Sequence, residues 1–237
     1  MNCRMVRTLV AGALIGFSGG FSGVAQAQVV VFDAGNAVLT TPTTQVARDL
    51  FNGKDLTGWT SKANTVNTVE DGVIHIKPGG GDLWTQERFG DFVLDLDFKV
   101  DKGTNSGVFI RTDNIANWLH TGIEVQVLDS AGKEQLDKHD SGAIYDVLQP
   151  GKNKMRPAGE WNHFTITAKG NAIQVVLNGE QVVDMDLNNW PEAHKNADGT
   201  PNKFNIAYKN MARTGYIGLQ EHGQNSWYRN IHIRKLK

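Results

Sequence analysis

The sequence predicts an all-β protein with the antiparallel sandwich, or jelly-roll, architecture. Many short segments alternate apolar and polar residues, and turn signals such as Asp71-Gly72 and Asn178-Gly179 separate them. No stretch sustains the apolar period of a helix over several turns, so only short helices are expected. A length of 237 residues, with 40% hydrophobic and 21% charged residues, suits one globular domain of this class.

The predicted strands follow one another along the chain. Residues 92–100 form the clearest strand, because large apolar side chains occupy every second position. The Asn178-Gly179 turn predicts a hairpin, since these residues adopt the backbone that a tight hairpin requires. In chain order, the predicted strands are 73–76, 83–85, 92–100, 107–111, 122–128, 142–148, 161–168, 173–177, 182–185, 216–222 and 227–234.

The stretch 105–129 contains two of these strands and the first candidate functional residues. If the aliphatic side chains face the core, Arg111 falls on the opposite face of the first strand, and Glu124 and Gln126 on the opposite face of the second. A cation, a carboxylate and an amide on one outer face would form a polar binding surface. The alternative is that they are ordinary solvated residues of a half-exposed sheet.

Charge and cysteine content exclude several classes of function. The net charge is −1, and leaving out residues 1–27, which hold two arginines and no acid, leaves 22 basic and 25 acidic residues. This balance does not indicate nucleic acid or an anionic membrane as a partner. Cys3 is the only cysteine. We therefore expect no intramolecular disulfide, multi-cysteine zinc site or thiol nucleophile in the mature chain.

Residues 1–27 have the pattern of a cleavable signal peptide. A short basic start precedes the apolar run 9–17, and a small-residue cleavage motif ends at Ala27, which leaves Gln28 as the new N terminus. The apolar run is too short to span a bilayer. We expect a secreted protein, periplasmic if the cell has two membranes, with an uncleaved N-terminal anchor as the alternative.

The chain also contains a series of short motifs. They are LFNGKDLTGW (50–59), DF (91–92), NSGVFIR (105–111), EVQVLD (124–129), SGAIYD (141–146), EWN (160–162), LNG (177–179), GYIGLQEHG (215–223) and YRNI (228–231). In order and spacing this series resembles the 3-keto-disaccharide hydrolase domain family. The resemblance covers residues 48–237, nearly all of the mature chain, and residues 28–47 are interpreted as a lead-in or tether.

The resemblance implies a fold and an activity. The family adopts the concanavalin A-like lectin/glucanase sandwich, and its members act on glycosides whose sugar is oxidised at C3. Some members work by elimination or hydration, and some use a divalent metal. We therefore expect an exported enzyme that cleaves 3-keto-disaccharides, by hydrolysis or by C2 deprotonation, β-elimination and water addition. The alternative is a non-catalytic, lectin-like carbohydrate-binding module.

Such chemistry sets requirements for the site. A ketone at C3 acidifies the proton on C2, so a base can generate an enolate, and the glycosidic oxygen on C1 can then leave. The site needs a base near C2, an acid near the leaving oxygen and a cation or metal near the enolate oxygen. The resemblance places Arg111, Glu124, Gln126, Gln220 and His222 in the polar blocks of the family.

Three of these side chains are the catalytic candidates. His222 is the first choice for acid/base chemistry, because the free pKa of histidine lies nearest neutrality. Glu124 is the alternative base or a metal ligand. Arg111 would hold the substrate or the enolate through its fork of donors, with a structural salt bridge to Asp97 or Glu124 as the alternative.

The substrate-binding candidates combine the resemblance with strand alternation. Alternation places Asp97 and Tyr145 on the face that carries Glu124, where Tyr145 could donate a proton or stack on the sugar. Trp84 is a candidate stacking platform, with a core position as the alternative. No compact ligand spacing fixes a metal site, so a divalent metal and the oligomeric state are left open. The full substrate-binding set is Asp97, Gln126, Tyr145, Gln220 and Trp84.

The segment from Glu124 to Asp129 superficially resembles the E-x-D-x-x-E strand of retaining glucanases with this fold. Gln126 replaces the central carboxylate, and Asp129 replaces the final glutamate. A retaining mechanism needs two carboxylates that face each other about 5 Å apart, whereas Glu124 and Asp129 point to opposite faces of a regular strand. The sequence therefore argues against ordinary two-carboxylate hydrolysis.

Overall fold

The computed structural model describes residues 46–61 and 66–237. The predicted signal peptide, 1–27, lies outside these residues, as does nearly all of the predicted lead-in, 28–47. The described residues belong to one compact unit, Gln45–Lys237. None of its described helices combines the length and the apolar character needed to cross a bilayer.

Strands dominate the described residues, as predicted. The one α-helix assigned there, α1, is a single short turn at Trp118–Thr121, and the 3-10 turns are Ile115–Asn117, Leu187–Asn189 and Tyr208–Asn210. The strands are β1 (Arg48–Asp49), β2 (Trp59–Thr60), β3 (Thr68–Glu70), β4 (Val73–Ile76), β5 (Leu83–Thr85), β6 (Phe92–Val100), β7 (Asn105–Thr112), β8 (Ile123–Leu128), β9 (Asn162–Lys169), β10 (Ala172–Leu177), β11 (Glu180–Asp186), β12 (Tyr216–Leu219) and β13 (Ser226–Lys235).

These strands form two antiparallel sheets. The back sheet has the order β11-β10-β9-β6-β13-β4-β3, and β1 adds to it by pairing with β13. The front sheet has the order β2-β5-β12-β7-β8. The predicted hairpin joins β10 to β11, with Asn178 and Gly179 at φ values of 51° and 84°, the left-handed backbone that a type I′ turn requires.

The two sheets enclose one hydrophobic core. On the back sheet, alternate side chains of β6 such as Phe92 and Leu96 are fully buried, and on the front sheet Val108 and Val125 are equally buried. A hydrogen bond of 2.8 Å joins Ser106 Oγ to the Tyr228 hydroxyl, from β7 to β13. The all-β concanavalin A-like sandwich prediction is therefore confirmed.

The predicted strand at 142–148 is wrong. Gly142 and Asp146 have φ values of 87° and 59°, and the left-handed backbone at both positions interrupts an extended strand. Only isolated bridges form there, from Ile144 to Val125 and to Leu148. The segment still runs along the free edge of β8, because the amide of Tyr145 donates to the carbonyl of Glu124 at 3.0 Å.

The outer face of the back sheet carries a closed polar network. Asp97, on β6, accepts hydrogen bonds from Arg229 Nε at 3.2 Å and from Asn230 Nδ2 at 2.8 Å, and it lies 2.8 Å from His163 Nδ1. The prediction that Asp97 shares a face with Glu124 is therefore wrong. Alternation identifies the outer side of β6, but β6 belongs to the back sheet.

His163 makes the stability of this network depend on pH. Hydrogen bonding to Asp95, and then to Asp97, raises the pKa of the His163 ring against the opposing effect of burial. A raised pKa means that the folded state binds the proton more tightly. The contribution of His163 to stability is thus fully present below its ordinary value of 6.5 and is lost as the pH rises through the raised value.

We expect His163→Gln to lower the free energy of unfolding at about pH 5 and to have little effect at about pH 9. The side chain is 44% exposed, so the difference should be about 1 kcal/mol or less. Denaturant unfolding of both proteins across this pH range measures it. A difference that stays constant with pH would contradict the proposed origin of the effect.

Candidate active site

Glu124 and Gln126 lie on the outer face of the front sheet, as alternation predicts. Pairing of β7 with β8 sets Phe109 opposite Glu124 and Gly107 opposite Gln126. Both polar side chains are nevertheless buried, with exposures of 6% for Glu124 and 1% for Gln126. The alternative of ordinary solvated strand residues is therefore wrong, because neighbouring residues of the fold cover this face.

The absence of a side chain at Gly107 makes room for the Glu124 carboxyl group. A Cβ atom at Gly107 would lie 2.4 Å from Glu124 Oε1, well inside the contact distance of the two atoms. The backbone of Gly107 is not in the left-handed region, so glycine is needed here for space and not for conformation.

Burial controls the protonation of Glu124. No hydrogen bond joins its carboxyl group to another residue in the ranges that the structure covers. Desolvation raises the pKa of Glu124 to about 8, opposed by the positive charge of Lys203 and assisted by the negative charge of Asp82. At neutral pH the folded protein therefore holds Glu124 largely as the neutral acid, ready to become a strong carboxylate base.

Lys203 and Tyr145 form a contact pair at this place. Lys203 Nζ donates a hydrogen bond of 2.7 Å to the Tyr145 hydroxyl. The backbone amide of Lys203 donates to Asp146 Oδ2 at 3.0 Å, which fixes the loop that carries the lysine. The backbone amide of Tyr145 also donates to the carbonyl of Glu124. A candidate base, a tyrosine and a cation therefore lie together at one edge of the front sheet.

Buried polar atoms without partners collect around Glu124. Gln126 Nε2 donates to Asn105 Oδ1 at 2.7 Å, but Gln126 Oε1 has no partner among the described residues. Gln220 Oε1 and the Tyr208 hydroxyl are also unpartnered there. Burial, and then the charge of Glu124, raises the pKa of Tyr208 well above its ordinary value. Unsatisfied buried groups are uncommon, and the hydroxyls of a ligand would satisfy them.

Gln126 and Gln220 flank Gly107. Gln126 pairs with Gly107 across the strands. On the other side, the Gln220 amide donates to the Gly107 carbonyl at 2.9 Å. The two predicted substrate-binding amides are thus brought together beside the Glu124 carboxyl group.

Trp84 lies on the same face but is packed and not open. It is 4% exposed and stacks on Phe109 with ring centroids 5.1 Å apart. A Cβ atom at Gly218 would lie 2.5 Å from the indole, so the ring rests directly on the backbone of β12. The half-buried Trp118 also contacts Phe109, with ring centroids 4.8 Å apart. Trp84 therefore supports the aromatic floor of the site.

Arg111 does not join the site, and its predicted placement beside Glu124 is wrong. Its φ of 51° interrupts the alternation of β7. The side chain is fully buried, and it bonds the carbonyls of Gly90 at 3.0 Å and Gly170 at 2.8 Å and the carboxylate of Asp91 at 2.8 Å. Arg111 does form a structural salt bridge, but its partner is Asp91 and not Asp97 or Glu124, the partners that the alternative prediction named.

His222 lies beyond the end of β12, which stops at Leu219. Its side chain is exposed, and no hydrogen bond or ion pair links it to another described residue, whereas Gln220 is buried. The two side chains therefore differ in environment, whereas residues two positions apart on a regular strand would share one face. Its role as acid or base stays a prediction, and the burial that tunes Glu124 is lacking at His222.

Three residues at the site escaped the sequence analysis. Lys203 and Asp82 lie in irregular segments and Tyr208 lies in a short 3-10 turn, where no strand periodicity assigns side chains to a face. As to a divalent metal, the described residues contain no group of three or more His, Cys, Asp or Glu side chains that could hold one.

Comparisons with known proteins place this architecture in a family. The chain belongs to the family described as the 3-keto-alpha-glucoside-1,2-lyase-like domain, whose model matches residues 46–234. A Bacteroides thetaiotaomicron protein named 3-keto-disaccharide hydrolase is 26% identical over 226 residues, covering 79% of this chain and 77% of the relative.

Solved structures agree with this assignment. A Parabacteroides distasonis protein, provisionally named a glycosyl hydrolase, is 35% identical with a TM-score of 0.74, over 81% of this chain and 100% of that one. A second protein from the same organism, with the same provisional name, is 28% identical with a TM-score of 0.61, over 92% of this chain and 95% of that one.

The buried Glu124 should make the protein less stable at high pH. Its raised pKa means that stability is fully present below the ordinary value of 4.5 and is lost as the pH rises through about 8. We expect Glu124→Gln to be more stable than the unmodified protein at about pH 9, by on the order of a few kcal/mol, and not at about pH 5.

Denaturant unfolding across this pH range measures the difference. The matched control is Glu180→Gln, which makes the same chemical change at a half-exposed position. An equal response of the two variants to pH would contradict the buried, proton-holding state of Glu124.

Proposed function

We propose that the protein cleaves 3-keto-glycosides, with 3-keto-disaccharides as substrates, by deprotonation of C2, β-elimination and addition of water. Family membership and the named relative support an enzyme that acts on carbohydrates. The observation that carries the proposal is the buried Glu124, whose pKa is raised to about 8. A general base works best when its pKa lies near the working pH.

The chemistry begins at C2. The Glu124 carboxylate takes the C2 proton, and the electron pair of the C–H bond forms the enolate C2=C3–O⁻. The enolate collapses to the C3 ketone, a C1=C2 double bond forms, and the C1–O bond breaks. The departing oxygen takes up a proton to leave as the alcohol. Water then adds to C1 and releases one proton, and Glu124 returns the first proton to C2, so that one water is consumed and a 3-keto sugar is released.

The surroundings of Glu124 suit a sugar. Gln126 Oε1 and Gln220 Oε1 are acceptors without a partner in the described part of the chain, so they can receive hydrogen bonds from ring hydroxyls beside the ketone. The positive charge of Lys203 acts on the Glu124 carboxyl group, and it would oppose the negative charge that develops in the enolate. Asp129, by contrast, accepts from the amide of Gly103 at 2.9 Å, which does not support a second catalytic carboxylate.

We also propose that the protein is exported and that the mature chain begins at Gln28. The sequence pattern of residues 1–27 supports this. N-terminal sequencing of the protein recovered from outside the cytoplasm should begin at Gln28, and recovery of a chain that begins at Met1 would contradict cleavage.

Purified mature protein should convert a 3-keto-disaccharide to free 3-keto sugar, with kcat/KM rising through an apparent pKa of about 8. Glu124→Gln should lower kcat/KM by about 10²–10⁴-fold, because it removes the base. Glu180→Gln, at a half-exposed position on β11, should leave turnover unchanged.

The reaction is followed by NMR, with and without a chelator. A 2-hydroxy-3-keto-glycal that builds up and decays would support elimination before hydration. Saturable binding of the unoxidised disaccharide without turnover of the oxidised one would favour the lectin-like module instead.

A further inference from the structure

The Lys203–Tyr145 pair has a chemical role that the base Glu124 cannot fill. We propose that Tyr145 is the acid that protonates the departing glycosidic oxygen. Lys203 is the residue that positions the tyrosine and holds a positive charge beside its oxygen. This inference rests on the proposed function. It names the second proton-transfer group of that site, for which the sequence analysis gives His222 as first choice and Tyr145 as a further possible proton donor.

The hydrogen bond fixes which way the tyrosine donates. An ammonium group has donors only, so the 2.7 Å contact makes the Tyr145 oxygen the acceptor of the Lys203 proton. The hydroxyl hydrogen of Tyr145 therefore points away from Lys203 and is free to bond another acceptor. The lysine also lies over the tyrosine ring, 4.3 Å from its centroid, so the two side chains constrain each other.

Backbone hydrogen bonds hold the Lys203–Tyr145 pair near Glu124. The Tyr145 amide donates to the Glu124 carbonyl at 3.0 Å. The Lys203 amide is held by Asp146 Oδ2 at 3.0 Å, and Asn196 Nδ2 donates to the Asp146 carbonyl at 3.2 Å. The charge of Lys203 acts on the Glu124 carboxyl group. Tyrosine, lysine and base are thus tied to one another through short backbone links.

Tyr145, Glu124 and the added water together account for every proton transfer in the reaction. As the C1–O bond breaks, Tyr145 gives its hydroxyl proton to the leaving oxygen, and the phenolate that remains faces the ammonium group of Lys203. When water adds to C1, the phenolate takes the proton that the water loses, and Glu124 returns the other proton to C2. A sugar alkoxide needs such an acid, because it is a poor leaving group, and a phenol is a stronger acid than the sugar hydroxyl.

The test compares two leaving groups on the same 3-keto sugar. Tyr145→Phe and Lys203→Met should each lower kcat on a 3-keto-disaccharide by about 10²-fold, since the sugar oxygen must be protonated as it leaves. Both variants should turn over a nitrophenyl 3-keto-glycoside at nearly the rate of the unmodified enzyme, because nitrophenolate departs without an acid. Matched controls are Tyr216→Phe and the exposed Lys209→Met, which should affect neither substrate.

Deuterium exchange separates the acid from the base. In D₂O, the C2 hydrogen of a free 3-keto sugar exchanges by formation and reprotonation of the enolate, which needs the base but does not need a group to depart from C1. Exchange should persist in Tyr145→Phe and Lys203→Met and be lost in Glu124→Gln.

Each contrary result has one meaning. Loss of exchange in Lys203→Met, with equal slowing of both glycosides, would assign the lysine to the enolate and overturn the proposed acid. Absence of both exchange and turnover in the unmodified enzyme would overturn the proposed function, and with it this inference.

Discussion

The carboxyl group of Glu124 occupies space that a side chain at Gly107 would fill, and most of the properties of the site follow from this fit. Enclosure removes water from the carboxyl group, which raises its pKa to about 8. Enclosure also brings the side chain under the influence of Lys203 and Tyr208, whose loops lie outside the sheets. A buried acid that has no hydrogen bond among the described residues is costly to a fold, so its position beside other buried groups without partners there supports the proposed role.

Polar side chains on the outer faces of the two sheets differ in whether they have hydrogen-bond partners within the protein. On the back sheet, Asp97 meets His163, Arg229 and Asn230, so its hydrogen-bonding capacity is used within the protein. At the front sheet, the buried oxygen atoms of Gln126 and Gln220, and that of Tyr208 from a 3-10 turn outside the sheets, find no partner among the described residues. Satisfied groups stabilise a fold, whereas unsatisfied groups held in a rigid framework are suited to bind something else.

The framework was predictable from local pattern, because the alternation of apolar residues depends only on the geometry of a strand. The bounds of β6 agree with the prediction, and the Asn178-Gly179 hairpin is confirmed. The pattern failed where the backbone departs from the extended form, as at Gly142 and Arg111, both at positive φ.

The site was less predictable than the framework, for two physical reasons. Alternation finds the outer side of a strand but not the sheet to which the strand belongs, which misplaced Asp97. Irregular loops have no period, so Lys203 gave no signal, and its approach to Tyr145 depends on folding of distant segments.

The short segment that carries Tyr145 also affects the tendency of the protein to aggregate. It hydrogen-bonds along the side of β8 that lies at the end of the front sheet, through Gly142, Ala143 and Tyr145. An uncovered strand edge of this kind is a template on which other chains can add and aggregate. Substitutions that loosen the segment would therefore expose the unpaired edge of β8 to other chains and would also displace Tyr145. The same few residues thus constrain both the solubility and the proposed chemistry of the protein.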